Sequence, residues 1–332
     1  MTKNSFTFHV SRFVLAILAA CSLCRASLAE SITEDFTSDP ANNGWKSFGD
    51  TNLFQWDSIN KNLAVTWDSS QTNSYFYRAL GTTLGKADAF AVDFDIQLND
   101  LQWTKTFQLA VGLLNIADAT DPAFSRSSGF SPNIFEFNYF PDSGDGFGDP
   151  NIAASMTDDT ASITNFPDFY FIYDTLPMNI GTTYHVTLTH AAGDGFISAT
   201  VFTNGQVYTT MPFFYSGAIG DFRLDALSVS SYSGAGQDPE FAGSILAHGT
   251  VDNFVVTLPP RVRNMTGTVS NGLWQVQFNT YNDSHYTLER STNFNSWSDA
   301  TASVAGNGDV LFLSDTNAMA DKAFYRVRAS KP

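Results

Sequence analysis

Cysteine is almost absent from this 332-residue sequence, and its two copies, Cys21 and Cys24, both lie within the first 29 residues. Those residues have the pattern of an export signal that is removed from the mature chain. The mature chain then contains no disulfide, and it has no thiolate to serve as a nucleophile or a zinc ligand. Its stability must come from the size of its hydrophobic core.

Charged side chains are also scarce, at 15% of the sequence against roughly 25% in an average globular protein. Basic residues are the rarer kind. Residues 30–259 contain 27 acidic and 7 basic residues, a net charge of −20, whereas residues 260–332 contain 6 acidic and 7 basic residues. Such an acidic region would repel phosphates, so we expect no nucleic-acid partner. Its charge is compatible with neutral glycans, with cations, or with solubility alone.

Long apolar runs are missing as well, so we expect no membrane span. The apolar run at residues 13–23 follows Lys3 and Arg12 and precedes Ser27-Leu28-Ala29, a small-residue cleavage pattern. This arrangement indicates a signal peptide and a secreted or cell-envelope protein. The alternative is that Leu18-Ala19-Ala20-Cys21 is a bacterial lipobox, which would leave a lipid anchor on Cys21.

Helical periodicity is missing from the mature chain, which shows instead short segments with apolar residues at every second position. Residues 91–98 alternate cleanly, and residues 107–114 are more continuously apolar, as in a central strand. Residues 184–208 predict two consecutive antiparallel hairpins, the second with the turn Asn204-Gly205. Because no helical layer covers them, these strands must pack as sheet on sheet. One short helix is expected in residues 118–127.

A domain boundary is predicted at Leu258-Pro259-Pro260, because two prolines cannot continue a strand ladder and the charge balance changes there. We predict a signal peptide in residues 1–29 and a large all-β domain in residues 30–258. A linker in residues 259–264 then leads to a small β-sandwich domain in residues 265–332.

Three stretches of the large domain resemble concanavalin A-like lectin/glucanase (laminin G-like) jelly-roll domains. They are residues 184–208, Phe222-Arg223-Leu224-Asp225 and Val251-Asp252-Asn253-Phe254-Val255-Val256. The resemblance extends over about residues 30–259 and implies an all-β, antiparallel two-sheet jelly-roll sandwich. It also implies a secreted protein, and many members bind glycans on a concave sheet or at its rim, several of them with calcium.

The tail resembles the small fibronectin- or immunoglobulin-like β-sandwich modules that end many exported bacterial proteins. The resemblance lies in residues 286–291 (YTLERS), in Ser296-Trp297 and in residues 324–327 (FYRV). It implies a spacer or an attachment module.

The catalytic pattern of the glucanase branch is absent from this sequence. That branch carries Glu-x-Asp-x-x-Glu on one strand, but the corresponding positions after Glu136 are Asn138 and Pro141. A retaining mechanism needs two carboxylates about 5 Å apart, and the few glutamates of the large domain do not cluster in sequence. The resemblance therefore implies the fold without the hydrolase.

Residues 134–150 contain the strongest candidate site. Phe135, Phe137 and Tyr139 alternate with Glu136 and Asn138, which predicts a strand with an apolar core face and a polar solvent face. The acidic, glycine-rich loop that follows offers oxygen ligands of the kind that calcium prefers, without the spacing of an EF-hand. Those ligands would be Asp142, Asp145 and Asp149, with Asp118 or Asp121 as further candidates. The alternative is an acidic surface turn.

Other candidate glycan-binding residues are exposed aromatic side chains and polar strand faces, because sugar rings stack on aromatic rings and their hydroxyls bond to acids and amides. The aromatic candidates are Trp56, Trp67, Tyr77 and Tyr139, and for any one of them packing in the core is the favoured alternative. The polar candidates are Glu136, Asn138, Asp93, Asp95, Arg223 and Asp225. If these lie on one sheet, they form a single polar surface.

Three functions are consistent with these patterns. The first is an exported, non-catalytic protein that binds a glycan or cell-surface polysaccharide. The second is a glycoside hydrolase or polysaccharide lyase that uses Glu136, a tyrosine and an arginine or histidine. The third is a structural protein of the cell envelope. The absent glutamate triple favours the first and third.

If the loop of residues 142–149 binds calcium, adding calcium raises the melting temperature of the mature protein and EDTA lowers it, because a ligand that binds only the folded state stabilises it. Differential scanning calorimetry measures both shifts. A melting temperature that neither treatment changes would assign the loop to the surface-turn alternative.

Overall fold

The computed structural model describes residues 30–105, 108–126, 131–141, 150–160, 169–192, 196–210, 213–214, 220–233, 241–270, 273–317 and 323–331. The predicted signal peptide and the loop with Asp142, Asp145 and Asp149 lie outside these ranges.

The large domain is built from antiparallel strands. They are β1 (Glu30–Glu34), β2 (Trp45–Phe48), β3 (Phe54–Asp57), β4 (Asn62–Asp68), β5 (Ser74–Leu84), β6 (Phe90–Trp103), β7 (Leu109–Leu114), β8 (Ile134–Phe140), β9 (Asn151–Thr157), β10 (Phe169–Thr175), β11 (Thr183–His190), β12 (Phe196–Thr203), β13 (Gln206–Thr209), β14 (Phe213–Phe214), β15 (Leu224–Ser231) and β16 (Ile245–Leu258).

These strands form two sheets. Sheet A has nine strands in the order β13-β12-β11-β6-β16-β4-β3, with β1 paired to β16 and β14 paired to β12. Sheet B has seven strands in the order β10-β9-β8-β7-β15-β5-β2. Neighbours in space are often distant in sequence, as in a jelly roll, and the prediction of an all-β, antiparallel two-sheet sandwich is confirmed.

The core lies between the two sheets and is formed by every second residue of each strand. In β6 the side chains of Val92, Phe94, Ile96 and Leu98 are buried, as their alternation predicted. Phe94 of sheet A meets Phe137 of sheet B with ring centroids 5.9 Å apart. Burying one such side chain contributes about 1.5–3 kcal/mol, so this aromatic layer can hold the sheets together without a disulfide.

Among the described residues, helical structure is confined to short segments. The α-helix α1 (Ile116–Ala119) begins where the Asn115 side chain accepts hydrogen bonds from the next turn, and two 3-10 helices occupy Pro40–Asn43 and Thr51–Leu53. The helix predicted in residues 118–127 therefore begins earlier, at the Asn115 cap, and ends before Pro122, which disfavours helical backbone at the preceding residue. In the described part of the chain, no helix is long and apolar enough to cross a membrane.

The C-terminal region adds two small sheets with a separate apolar cluster. Its strands are β17 (Arg263–Ser270), β18 (Leu273–Asn279), β19 (His285–Ser291), β20 (Ser298–Asp299), β21 (Val304–Ala305), β22 (Val310–Asp315) and β23 (Phe324–Ser330). One sheet has the order β17-β18-β22, and in the other β19 pairs with β20, β21 and β23. The cluster between them contains Val276, Phe278, Tyr286, Leu288 and Leu313.

The C-terminal region is joined to the large domain by buried polar contacts. Arg263 and Asp88 are both buried and form an ion pair, with Nε and Oδ1 2.8 Å apart. Backbone hydrogen bonds run from Asn282 N to Gly81 O (2.9 Å) and from Thr83 N to the carbonyl of residue 308 (3.1 Å).

The two ends of the described chain also meet at this junction. Glu30, the first residue of β1, contacts Arg261, and its Oε1 lies 3.0 Å from Nζ of Lys331. The first and last strands are therefore tied to the same junction.

His190, at the end of β11, is a core residue of the large domain. Its side chain is only 1% exposed, its ring stacks on Phe90 at 4.6 Å, and its Nδ1 lies 2.7 Å from the carbonyl oxygen of Asp88. Burial lowers its pKa from 6.5 to about 4, although the Asp88 contact opposes this shift.

Because the folded state binds this proton less tightly than the unfolded state, His190 makes stability fall as the pH decreases from 6.5 to about 4. We expect a loss of about 3 kcal/mol from this group over that window. Urea unfolding at several pH values measures the slope, and His190→Gln should flatten it. An unchanged slope in His190→Gln, or an imidazole that titrates near 6.5 by NMR, would contradict the assignment.

Candidate functional site

The candidate site lies on the face of sheet B that points away from the core, here termed the outer face. Strand register places two rows of side chains side by side across β5, β15, β7, β8 and β9. The first row is Tyr75, Ser230, Ala110, Asn138 and Ala153, and the second is Tyr77, Ser228, Gly112, Glu136 and Ser155. The two rows bring tyrosines, an acid and an amide onto one face.

Small residues form the middle of both rows. At Gly112, a Cβ atom would lie 2.3 Å from the carbonyl oxygen of Phe135 and 2.7 Å from Cα of Glu136, so no side chain fits there. Ser228, Ser230 and Ala110 surround this position. Larger side chains from either side can therefore extend over the strands.

Five side chains meet above this floor and are here termed the outer cluster: Tyr75, Arg126, Glu136, Asn138 and Tyr232. Arg126 Nε lies 3.4 Å from Glu136 Oε2, and its Nη2 donates to Asn138 Oδ1 at 3.2 Å. The hydroxyl of Tyr232 donates to Glu136 Oε1. The ring of Tyr75 meets that of Tyr232 edge-on, with centroids 5.9 Å apart.

Local structure places each member of the cluster. Glu136 and Asn138 share a face of β8 because they are two residues apart, and Tyr232 continues the outward positions Ser228 and Ser230 of β15. Arg126 comes from the segment that follows α1, which crosses over the sheet.

Burial controls the protonation of the cluster. Glu136 is 1% exposed, and desolvation raises its pKa, although Arg126, Tyr232 and Asn138 each oppose that rise. Desolvation also raises the pKa of Tyr75 and of Tyr232 well above 10, so both remain protonated hydrogen-bond donors at neutral pH.

One donor of the outer cluster is left without an acceptor. Tyr75 is 0% exposed, and within the described residues its hydroxyl has no hydrogen-bond partner. Asn138 is equally buried, but its Oδ1 accepts from Arg126 and Ser155, and its side chain also hydrogen-bonds to Glu136, which lowers the pKa of that carboxyl. An unsatisfied buried donor costs about 1–3 kcal/mol, so the Tyr75 hydroxyl marks a place for an acceptor.

Three of the predicted binding residues, Glu136, Asn138 and Tyr77, lie together on the outer face. The prediction that Glu136 and Asn138 face solvent is wrong, since other side chains cover both. Strand alternation indicates which face a residue occupies, and it carries no information about what lies over that face.

Asp93 and Asp95 lie elsewhere, on the opposite side of the sandwich. Both belong to β6 of sheet A, where Asp93 accepts from Thr187 at 2.6 Å and Asp95 lies 2.8 Å from Nδ1 of His185. The hypothesis of one polar surface that contains Asp93, Asp95 and Glu136 is therefore wrong, because β6 and β8 belong to different sheets.

Arg223 and Asp225 lie near the start of β15, away from the outer cluster. Arg223 Nη2 pairs with Asp309 of the C-terminal region at 2.7 Å, and Asp225 accepts from the backbone nitrogen of Ile116 at 3.0 Å. These contacts join elements of the fold.

The remaining aromatic candidates pack inward. Trp67 and Tyr139 are buried, in agreement with the core-packing alternative, and the Tyr139 hydroxyl accepts from Met178 N at 3.2 Å. Trp56 is partly buried against the core and donates to the carbonyl of Phe36 at 3.0 Å.

A metal site is not assembled by the described residues, which include no group of three or more histidine, cysteine, aspartate or glutamate side chains suited to one. Asp118 accepts from Asn133 at 2.6 Å, and Asp121 accepts from Ala123 N at 2.7 Å. The three aspartates of the predicted calcium loop lie outside the described residues, and calcium binding there remains a prediction.

Sequence reasoning missed Arg126 and Tyr232 as partners of Glu136. The alternation of Ser228, Ser230 and Tyr232 carried a signal for a shared face. Arg126 lies in a loop without periodicity, so its only signal was the scarcity of basic residues in the large domain.

Replacing Arg126 with methionine leaves the Glu136 carboxylate buried without its cation. This change should lower the free energy of unfolding by about 3–5 kcal/mol at neutral pH. The matched control is Arg223→Met, which breaks a pair whose side chains are 49% and 45% exposed and should cost about 1 kcal/mol or less. Urea unfolding measures both losses.

The difference between these variants should narrow as the pH falls. Burial raises the pKa of Glu136, so the penalty for its charge is present above that pKa and disappears once the carboxyl is protonated. Equal losses in the two variants at neutral pH would contradict the buried pair.

Comparison with known proteins gives a likeness in fold. No family model matches the sequence, and no curated protein matches it. The structure is similar to a Lotus tetragonolobus seed lectin, with 12% identity, a TM-score of 0.47, and coverage of 69% of this chain and 98% of that chain. Peanut lectin with a 9mer peptide gives 14% identity, a TM-score of 0.44, and coverage of 69% and 99%. The alginate lyase Aly36B gives 10% identity, a TM-score of 0.45, and coverage of 69% of this chain and 97% of that chain. All three are concanavalin A-like jelly-roll folds, and the likeness assigns no ligand or activity to this chain.

Proposed function

We propose that this is an exported carbohydrate-binding protein whose ligand occupies the outer cluster of sheet B. The observation that carries the proposal is the buried hydroxyl of Tyr75, which has no hydrogen-bond partner among the described residues. Its ring meets that of Tyr232, which donates to Glu136, and the charges of Glu136 and Arg126 both act on it. The pattern of residues 1–29 supports export to the cell exterior or envelope.

The chemistry of the outer cluster matches that of sugar hydroxyls. A hydroxyl both donates and accepts, and the cluster offers a free donor at Tyr75 together with the acceptor oxygens of Glu136. Tyr75, Tyr77 and Tyr232 add aromatic surface, on which the C–H faces of a sugar ring can stack. Because this donor is occluded, a ligand reaches it only when covering groups move.

Binding is favoured over glycoside hydrolysis by the number of carboxylates. Among the described residues, Glu136 is the single carboxylate of the cluster, and Arg126 and Tyr232 already hold its two oxygens. A glycosidase of the usual type needs a second carboxylate about 5–9.5 Å away.

A polysaccharide lyase is the second candidate, and a specific observation favours it: tyrosine hydroxyls lie next to an arginine and an amide. Such groups could neutralise a uronate carboxylate while a tyrosine removes the neighbouring proton. The raised pKa of Tyr75 and Tyr232 makes both poor bases at neutral pH, which ranks this function second. Ultraviolet absorbance of an unsaturated product would reveal it.

Tyr75→Phe tests the proposed binding site. It removes a hydroxyl that has no partner, so the free energy of unfolding should stay the same or rise slightly. Glycan affinity should fall about three- to tenfold, because the variant loses one neutral hydrogen bond to the ligand. Glycan arrays identify the ligand, and isothermal titration calorimetry measures the loss.

Tyr139→Phe is the matched control, because its hydroxyl bonds to Met178 on the core side of the same sheet. It should lower stability by about 1 kcal/mol and leave glycan affinity unchanged. If no glycan binds, or if Tyr75→Phe binds as well as the wild type, the outer cluster is a structural network, as expected of a purely structural envelope protein.

A further inference from the structure

We infer that the ligand of the outer cluster is an uncharged glycan and that uronate-containing and sulfated glycans do not bind there. This inference rests on the proposed function and names the ligand class of the same site. It follows from the hydrogen-bonding capacity of the cluster, its local charge and the charge of the domain around it.

The hydrogen-bonding groups of the cluster require a ligand that both accepts and donates. The unpaired atom, Tyr75 Oη, can donate to a ligand oxygen. The Glu136 carboxylate accepts from Tyr232, Arg126 and Asn138, and with about four lone-pair sites it retains capacity for one further donor. A pair of sugar hydroxyls satisfies both groups. A carboxylate or sulfate could accept from Tyr75 but would face Glu136 with nothing to donate.

The local charge of the cluster disfavours an anion as well. Arg126 does not act as a free cation, because it pairs with Glu136 and bonds to Asn138. The Glu136 carboxylate raises the pKa of Tyr75, and the Arg126 guanidinium lowers it by a smaller amount. The net electrostatic field of the pair at the Tyr75 hydroxyl is therefore that of a negative charge. An anion placed against Tyr75 would therefore be repelled by Glu136 more than it is attracted by Arg126.

The net negative charge of the surrounding domain also disfavours an anionic ligand. Residues 30–259 contain 27 acidic and 7 basic residues, a net charge of −20, so a polyanion is repelled before it reaches the cluster. This long-range repulsion is screened by salt, with a Debye length of about 3 Å at 1 M, whereas repulsion at the buried cluster is screened much less.

The test compares oligosaccharides of equal length, with neutral, uronate and sulfated members, on the full-length exported protein at about 0.05 M and about 1 M salt. Calorimetry should detect neutral members at both salt concentrations and acidic members at neither. Acidic members that bind while neutral members do not would overturn the inference and leave the proposed function standing. Absence of binding by every member would overturn both.

Glu136→Gln adds a second readout. For a neutral ligand, removing the charged acceptor should weaken binding about tenfold or more, because hydrogen bonds to charged groups are the stronger ones. For an anionic ligand, the same change would strengthen binding. The wild-type comparison decides the inference even if the variant does not fold.

Discussion

The packing of sheet A against sheet B is the constraint on which the rest of the molecule depends. Residues 30–332 contain no cysteine, so the sandwich is held by apolar contact between the inner faces, where rings such as Phe94 and Phe137 meet across the interface. Because side chains alternate along a strand, each residue committed to this core places its neighbour on the opposite face. Sheet B therefore has an outer face whose composition the core does not dictate, and polar groups occupy it.

The outer cluster is costly for a structure to maintain. Removing the charges of Glu136 and Arg126 from water is offset only partly by their mutual attraction, and well-packed apolar residues would often serve stability as well or better. The unsatisfied Tyr75 hydroxyl adds to that cost. This cost, together with the floor of small residues and the acid beside the tyrosines, is the physical basis for proposing a binding site there.

The sequence predicted local features better than long-range ones. Period-two alternation predicted the two faces of β6 and β8 because the pleat of a strand is a local property. Whether Asp93 and Glu136 share a sheet depends on strand order, which distant contacts determine, and that prediction was wrong. The partnership of Arg126 with Glu136 was equally inaccessible, because a loop residue reaches its partner through the folded path of the chain. Burial of Glu136 and Asn138 depends on what covers the sheet, which strand periodicity does not encode.

The meeting of Glu30 with Arg261 and Lys331 has a consequence for how the molecule can be presented on a surface. Because the first and last strands are tied to one junction, an attachment before residue 30 and an attachment after residue 331 would fix nearly the same point. The buried Arg263–Asp88 pair lies between the C-terminal region and the large domain, so a force applied at this junction would reach both parts of the molecule.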